Sequence, residues 1–255
     1  MQLIDTHTHL YLPEFDEDRD EVIARAVSNG VLKLLMPNID VHSIRAMIAA
    51  KERYSGICLP MAGLHPVSVK NDYREQLDSI LNLFSEFSFV AVGEIGIDLY
   101  WDKTWLREQI TAFREQVVFA IKYDLPVVIH SRESIHEIFR VLEEFKGEKI
   151  RGVFHAFSGD IRDAEKAVNM GFMIGIGGVI TFKNSGLGEI VRAVGPDHIV
   201  LETDSPYLAP VPYRGKRNES SWLPLINRNL AGILEKGEEE TASITYSNSV
   251  DLFRL

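Results

Sequence analysis

Short apolar, β-prone segments alternate along the chain with longer segments whose apolar residues recur at helical spacing. The short segments predict strands at Leu3–Thr6, Leu32–Met36, Leu59–Gly63, Phe89–Gly93, Pro126–Ile129, Arg151–Phe154, Phe172–Ile176 and Ile199–Leu201. The longer segments predict helices at Asp16–Ser28, Val41–Tyr54, Gln76–Phe87, Trp105–Tyr123, Ser134–Phe145, Ile161–Met170 and Leu187–Val194.

Roughly eight βα units of this length predict an α/β fold, a parallel (β/α)8 TIM barrel. Two further helical segments, Trp222–Leu234 and Glu239–Phe253, predict extra C-terminal helices packed on the barrel. No linker rich in Pro, Gly or Ser divides the 255 residues, so we expect residues 1–255 to form one domain. The main alternative is an open doubly wound sheet, but no glycine-rich phosphate loop follows the first strand.

Composition narrows the possible partners. A hydrophobic content of 45% supplies a large core, and the formal charge of -10 argues against a broad surface for nucleic acids. No apolar run is long enough to cross a bilayer, so we expect no membrane association. Cys58 is the single cysteine, which excludes an internal disulfide and suits a cytoplasmic protein. The default expectation for the oligomeric state is a monomer.

Two histidines stand at the end of the first predicted strand. His7 and His9 are two residues apart, so in an extended backbone their side chains point to the same side and can share a metal ion. The alternative is that both are ordinary polar residues at a strand end. A lone HxH pattern leaves that choice open.

The ends of the other predicted strands favour a shared site. Of the 8 histidines, His7, His9, His65, His130 and His155 all fall at strand ends, while His42, His136 and His198 lie elsewhere. Glu94 and Asp204 follow two further strands. Taken singly, each has a structural explanation as a buried histidine, a helix cap or a turn residue. In a barrel, however, all strand ends meet at the rim where active sites lie. The joint pattern therefore predicts a metal site.

The motifs that carry these residues resemble one known family. They are Asp5-Thr6-His7-Thr8-His9, Gly63-Leu64-His65-Pro66, Gly93-Glu94-Ile95-Gly96-Ile97-Asp98, His130-Ser131-Arg132, His155-Ala156-Phe157-Ser158-Gly159, Glu202-Thr203-Asp204-Ser205-Pro206-Tyr207-Leu208-Ala209-Pro210 and Tyr213-Arg214-Gly215-Lys216-Arg217-Asn218. In this order they resemble the TatD family of metal-dependent deoxyribonucleases, which belongs among amidohydrolase-like barrels. The resemblance implies hydrolysis of DNA that depends on divalent metal ions.

The resemblance also implies a ligand set for two divalent metal ions. His7, His9 and Asp204 would hold one ion, His130 and His155 the other, and Glu94 would bridge them. An anionic bridge offsets the repulsion between two neighbouring cations. Mixed histidine and carboxylate ligands suit Zn²⁺ or Mn²⁺, whereas the family is usually described as Mg²⁺-dependent, so the metal stays open.

The expected chemistry is attack of an activated water on a phosphodiester. Asp204 is expected to accept the proton of that water, and His65 to contact the substrate phosphate or the leaving oxygen. Glu202, on the same strand face as Asp204, is expected to orient ligands. Loop cations are candidate phosphate contacts: Arg132, Lys183, Arg214, Lys216 and Arg217. Aromatic residues near the rim are candidate stacking partners for unpaired bases: Tyr100, Trp101, Phe157 and Tyr207.

DNA is thus expected as a substrate rather than as a stable partner, with single strands or ends favoured. Three other functions remain open from the sequence. The same metal chemistry serves hydrolases of small lactones, cyclic amides or phosphoesters, and it serves ester hydrolysis on aminoacyl-tRNA. A non-catalytic protein with a structural zinc fits less well, because such sites are usually closed and rich in cysteine.

Overall fold

The computed structural model describes residues 1–255 and contains eight strands that pair in parallel. Their bounds are β1 (Leu3–Asp5), β2 (Val31–Pro37), β3 (Cys58–Met61), β4 (Val92–Asp98), β5 (Val127–Arg132), β6 (Gly152–Phe154), β7 (Phe172–Ile176) and β8 (Ile199–Leu201). Each strand lies within or beside a segment that the sequence predicts as a strand. The parallel (β/α)8 TIM-barrel class is confirmed.

Helices follow the strands in regular alternation. Their bounds are α1 (Arg19–Ser28), α2 (Ile44–Arg53), α3 (Tyr73–Asn82), α4 (Leu106–Lys122), α5 (Ile135–Glu143), α6 (Ile161–Asn169), α7 (Leu187–Val194), α8 (Leu223–Leu234) and α9 (Glu238–Phe253). The start of α6 shows why a helix begins where it does. Asp160 and Asp163 each accept the backbone N–H of the other, which satisfies two amides at the first turn. None of these helices is both long enough and apolar enough to cross a lipid bilayer.

Backbone hydrogen bonds connect all eight strands. Strands β1 to β3 form one ladder and β4 to β8 a second. At one seam the Ala62 N–H donates to Ala91 O and the Gly93 N–H donates to Ala62 O. At the other seam the Thr6 N–H donates to Leu201 O. The carboxyl ends of β1, β4 and β8 are thereby brought to the same rim.

The interior of the strand ring is filled by a layer of apolar side chains taken from most of the strands. Its members are Ile4, Leu35, Met61, Ala91, Val128, Val153, Val200, Leu252 and Phe253. Leu252 and Phe253 come from the end of α9, and the Leu252 carbonyl accepts the Nε–H of Arg151, which directly precedes β6. The C-terminal helix therefore closes the amino ends of the strands. The candidate site lies at the opposite rim, which is formed by the carboxyl ends of the strands.

The observed bounds of β4 and β5 differ from the prediction in a way that matters for the site. The sequence predicts Phe89–Gly93 and Pro126–Ile129, whereas the two strands pair as far as Asp98 and Arg132. Gly96 makes this pairing possible, because its φ is 145° and a Cβ there would lie 2.0 Å from the carbonyl oxygen of His130. Glu94 and His130 consequently lie on strands rather than on the loops that follow them.

Candidate metal centre

Four predicted ligands meet at the carboxyl ends of β1, β4 and β8. The Nε2 atoms of His7 and His9 are 3.3 Å apart. Glu94 Oε2 lies 3.2 Å from the first and 3.7 Å from the second. Asp204 Oδ1 lies 3.7 Å and 3.5 Å from the same two atoms. A cation about 2.1 Å from each of four tetrahedral ligands separates those ligands by roughly 3.4 Å, so these donors are spaced to hold one.

The second oxygen of Glu94 faces the remaining predicted ligands. Oε1 lies 2.8 Å from His130 Nδ1 and 2.9 Å from His155 Nε2. The rings of His7 and His155 stack with centroids 3.8 Å apart, so the two groups of donors are in contact. All six residues that the sequence predicts as metal ligands are therefore brought together, with Glu94 between the two groups.

Tyr11 and Asp98 each form a hydrogen bond to the ring nitrogen of a predicted ligand, His9 and His130, on the side of the ring away from Glu94. Tyr11 donates its hydroxyl hydrogen to Pro37 O, so its oxygen accepts from His9 Nδ1 and leaves the His9 Nε2 lone pair free. Asp98 Oδ2 lies 2.9 Å from His130 Nε2, and Glu94 Oε1 lies 2.8 Å from Nδ1, so each ring nitrogen faces a carboxylate. A metal ion at Nδ1 would replace the proton there, while Asp98 would keep the proton on Nε2. His9 Nε2 and His130 Nδ1, the nitrogens on the other side of these rings, lie 3.7 Å and 2.8 Å from the oxygens of Glu94.

Glu202 lies behind His155 without forming a hydrogen bond to it. Its Oε1 lies 3.5 Å from His155 Nδ1 and accepts the backbone N–H of Ala156. The Nε2 atom of His155, on the other side of the ring, faces Glu94. Glu202 is therefore adjacent to a predicted ligand, and its role in orienting that ligand stays a prediction.

His65 has the opposite proton arrangement. Its Nδ1 accepts the backbone N–H of Val67 at 3.1 Å, so the neutral ring carries its proton on Nε2. Its Nε2 lies 3.3 Å from Glu94 Oε1. Burial lowers the pKa of His65, which favours this neutral form. His65 is therefore a hydrogen-bond donor beside the predicted metal ligands, and its contact to phosphate or leaving oxygen stays a prediction.

Burial and the neighbouring histidines act in opposite directions on the pKa values of Glu94 and Asp204. Burial alone raises the pKa of Glu94, but the surrounding histidines His155, His65 and His7 outweigh it and hold that pKa well below its usual range. Burial also raises the pKa of Asp204, but the neighbouring histidines His9, His155 and His7 outweigh it and lower that pKa. Both carboxylates are thus anionic. A compact group of anionic oxygens and imidazole nitrogens fits divalent cations.

The centre opens into a cavity of about 630 Å³ at the rim. Trp101 and Arg132 line one part of its wall, and Tyr207 lines another. Phe157 also lines the cavity but is buried, with 4% of its surface exposed. Of the predicted phosphate contacts, Arg132 is thus the one that lies on the cavity wall.

The other predicted phosphate contacts do not line the cavity: Lys183 lies on the loop after β7, and Arg214, Lys216 and Arg217 lie on the loop after β8. Arg217 is bound to both oxygens of Asp18 at 2.8 Å and 2.6 Å. The guanidinium of Arg214 lies 4.7 Å from the ring centre of Phe182, and the ammonium of Lys216 lies 5.6 Å from that of Tyr213. The ion pair of Arg217 connects this loop to the chain before α1.

Three residues of the site have roles that the sequence analysis does not assign. Asp98 and Tyr11 set the rings of His130 and His9. Asn218 donates to the carbonyls of Thr203 and Tyr207 and so holds the loop of Asp204, whose φ of 55° is unusual for a residue with a side chain. Asp98 and Asn218 stand inside the quoted motifs, which is the one signal that pointed to them.

Comparisons with known proteins agree with this geometry. A family model described as TatD related DNase matches residues 4–254. An uncharacterized metal-dependent hydrolase of Bacillus subtilis, YabD, is 36% identical over 99% of both chains. A 3'-5' ssDNA/RNA exonuclease, TatD of Cronobacter sakazakii, is 31% identical over 98% of this chain and 97% of its own. The crystal structure of the TatD homologue YjjV of Escherichia coli superposes with a TM-score of 0.90 at 29% identity, covering 99% of this chain and 98% of that one. The chain therefore belongs to the TatD family of metal-dependent hydrolases.

Proposed function

We propose that this protein is a deoxyribonuclease that hydrolyses phosphodiester bonds of single-stranded DNA or of DNA ends, using two divalent metal ions. The observation that carries the proposal is the position of Glu94, whose two oxygens each face a separate group of histidines. His7, His9 and Asp204 would hold one ion, and His130 and His155 the other. Divalent cations in such a site lower the pKa of water and neutralise charge on phosphoryl oxygens.

Asp204 and His65 would have different roles in the reaction. Asp204 Oδ1 faces His7 and His9, and the residue lines the cavity, so Asp204 would accept a proton from the attacking water. The Nε2–H of His65 is placed to donate a hydrogen bond to a phosphate oxygen or to the leaving oxygen. Glu94 holds the two groups of donors at a fixed separation.

Two observations favour DNA over a small substrate. Arg132 stands on the cavity wall without a carboxylate partner, and exposed aromatic rings flank the mouth. In addition, a relative that is 31% identical is named as an exonuclease of single-stranded DNA and RNA. With a net charge of -10, the protein is expected to release its product rather than to form a stable complex.

A hydrolase of small esters or amides, or of aminoacyl-tRNA esters, is the second candidate. Part of the cavity wall is apolar, formed by Phe157, Val179, Leu187 and Leu208. Such a wall suits a compact apolar group next to the reacting bond. A monomeric state and a cytoplasmic location, the latter suggested by a single buried cysteine, complete the proposal.

The test measures nucleotide release from end-labelled single-stranded DNA by metal-free protein supplemented separately with Mg²⁺, Mn²⁺ or Zn²⁺. We expect release with at least one metal and its loss in Glu94→Ala and Asp204→Asn, each checked for folding by thermal denaturation. Activity that persists in both folded variants would come from a contaminating nuclease. Hydrolysis of lactones or aminoacyl esters, without DNA cleavage under any metal, would favour the second candidate.

A further inference from the structure

Two large aromatic side chains stand in solvent at the mouth of the cavity. Tyr100 is 51% exposed and Trp101 is 67% exposed, and both belong to the loop after β4. Their rings meet edge to face, with centroids 5.0 Å apart and planes at 87°. Exposing this much aromatic surface beside a catalytic cavity is unfavourable unless a ligand covers it.

The position of these rings is set by a group that also touches the metal centre. Asp98 Oδ1 accepts the backbone N–H of Tyr100 at 2.9 Å and that of Trp101 at 3.0 Å, while its Oδ2 faces His130. The Leu99 N–H donates to Arg132 O. The loop is thus ordered before any ligand arrives, which lowers the entropic cost of binding.

Arg132 adds a cation to the same surface. Its guanidinium carbon lies 3.8 Å from the ring centre of Tyr100 and 5.5 Å from that of Trp101. Stacking of this kind uses the flat face of the guanidinium, so its N–H groups, which lie in the plane, remain free to donate. The side chain makes no ion pair or hydrogen bond within the protein. Arg217, by contrast, is bound to both oxygens of Asp18.

We propose that Arg132, Tyr100 and Trp101 form a subsite for one nucleotide of a single strand, adjacent to the nucleotide whose phosphodiester is cleaved. Arg132 binds the backbone phosphate, and the exposed face of Trp101 stacks on the base. Because every base has a flat face, the subsite does not read sequence, and because the base must be unstacked, it selects single strands over intact duplex. The inference rests on the proposed function and assigns its substrate preference to these residues.

The experiment measures binding separately from cleavage. Metal-loaded protein is titrated into fluorescein-labelled phosphorothioate oligothymidylate, which keeps the backbone charge and resists hydrolysis, and anisotropy gives the dissociation constant. We expect Trp101→Ala to weaken binding by about tenfold to a hundredfold. Arg132→Gln should lower the slope of log affinity against log salt by roughly 0.7, the loss of one phosphate contact on a single strand.

A series of oligonucleotides with one abasic position each locates the base. In the wild type, one abasic position should weaken binding, and in Trp101→Ala that penalty should disappear. The matched control is Tyr123→Ala, which removes an exposed tyrosine under Lys122 at the end of α4, on the opposite rim. It should change neither affinity nor salt slope.

The possible failures are distinct. Unchanged affinity in a folded Trp101→Ala, or an abasic penalty that persists in it, would overturn the subsite. Normal binding by the wild type without cleavage of ordinary DNA under any metal would overturn the proposed function and leave the subsite standing. Absence of binding by the wild type would overturn the subsite, while cleavage on the end-labelled substrate would still support the nuclease.

Discussion

Asp98 Oδ2 lies 2.9 Å from Nε2 of His130, on the side of the ring opposite to Glu94. Burial lowers the pKa of His130, but the hydrogen bonds to Asp98 and Glu94 outweigh it and raise that pKa. The aspartate holds the proton on Nε2, so Nδ1 is the nitrogen that would bind a metal ion. We therefore expect Asp98 to influence metal affinity without being a ligand itself.

Replacing Asp98 by asparagine tests this relationship. The oxygen of the amide is expected to keep the N–H groups of Tyr100 and Trp101, so its NH₂ faces His130 Nε2 and forces the proton onto Nδ1. We expect Asp98→Asn to weaken metal binding by about tenfold to a hundredfold. Isothermal titration of metal-free protein with Zn²⁺ or Mn²⁺ measures this. Asp102→Asn, which alters an exposed partner of Lys70, is the control, and equal affinities in the two variants would refute the role.

Tyr11 has a comparable role behind His9. Its hydroxyl group accepts from His9 Nδ1 at 3.1 Å and donates to Pro37 O at 2.7 Å, and only 2% of the residue is exposed. Tyr11→Phe leaves both partners without a hydrogen bond, so the free energy of unfolding should fall by about 1–3 kcal/mol in metal-free protein. Urea denaturation measures it. Tyr54→Phe, which removes an exposed hydroxyl bound to Asp20, should have little effect; equal losses in the two variants would contradict the explanation.

Much of this site could be predicted from sequence because its ligands recur at the ends of periodic apolar segments. Leu187–Val194 was predicted with the bounds it has, and the other helices lie within a few residues of the predicted ones. The bounds of β4 were less accurate, since apolar periodicity stops at Gly93. The strand continues through Glu94 and Asp98 because β5 pairs with it, and a partner strand leaves no mark in the local pattern.

The groups behind the ligands were harder to predict. The contact of Tyr11 with His9 depends on the direction of the chain after β1, and that of Asp98 with His130 depends on the register of two strands. Likewise, Arg132 and Arg217 both follow predicted strands, yet Asp18 binds Arg217 while aromatic rings stack on Arg132. Tertiary contacts decide such differences.

The ion pairs of Asp124 lead to a prediction of how the stability of the folded state changes in acid. Hydrogen bonds from Arg254 and Arg151 lower the pKa of Asp124 from 3.8 to about 2. A carboxyl group whose pKa is lower in the folded state stabilises that state fully above its unfolded pKa, and this contribution is lost as the pH falls through about 4 toward 2. Asp124→Asn should therefore lower the melting temperature at pH 6 and have little effect near pH 2. Asp251→Asn, a change on the exposed face of α9, serves as the control; a difference for Asp124→Asn that grew in acid would contradict the prediction.

The position of Glu94 leads to a prediction of how metal binding changes the stability of the folded state. Each of its oxygens faces a different group of histidines, and 3% of the residue is exposed. A metal ion that binds the folded state alone adds about 2.7 kcal/mol of stability at a hundred times its dissociation constant. We expect this gain in the wild type, seen as a rise in melting temperature that a chelator reverses. Glu94→Gln keeps the shape of the side chain but turns an NH₂ group toward one set of ligands, so most of the gain should be lost.

Glu219→Gln removes a different buried carboxylate, the partner of Arg25, and should lower the melting temperature while keeping the full rise with metal. If Glu94→Gln kept that rise as well, Glu94 would not be the bridge between the two groups of ligands.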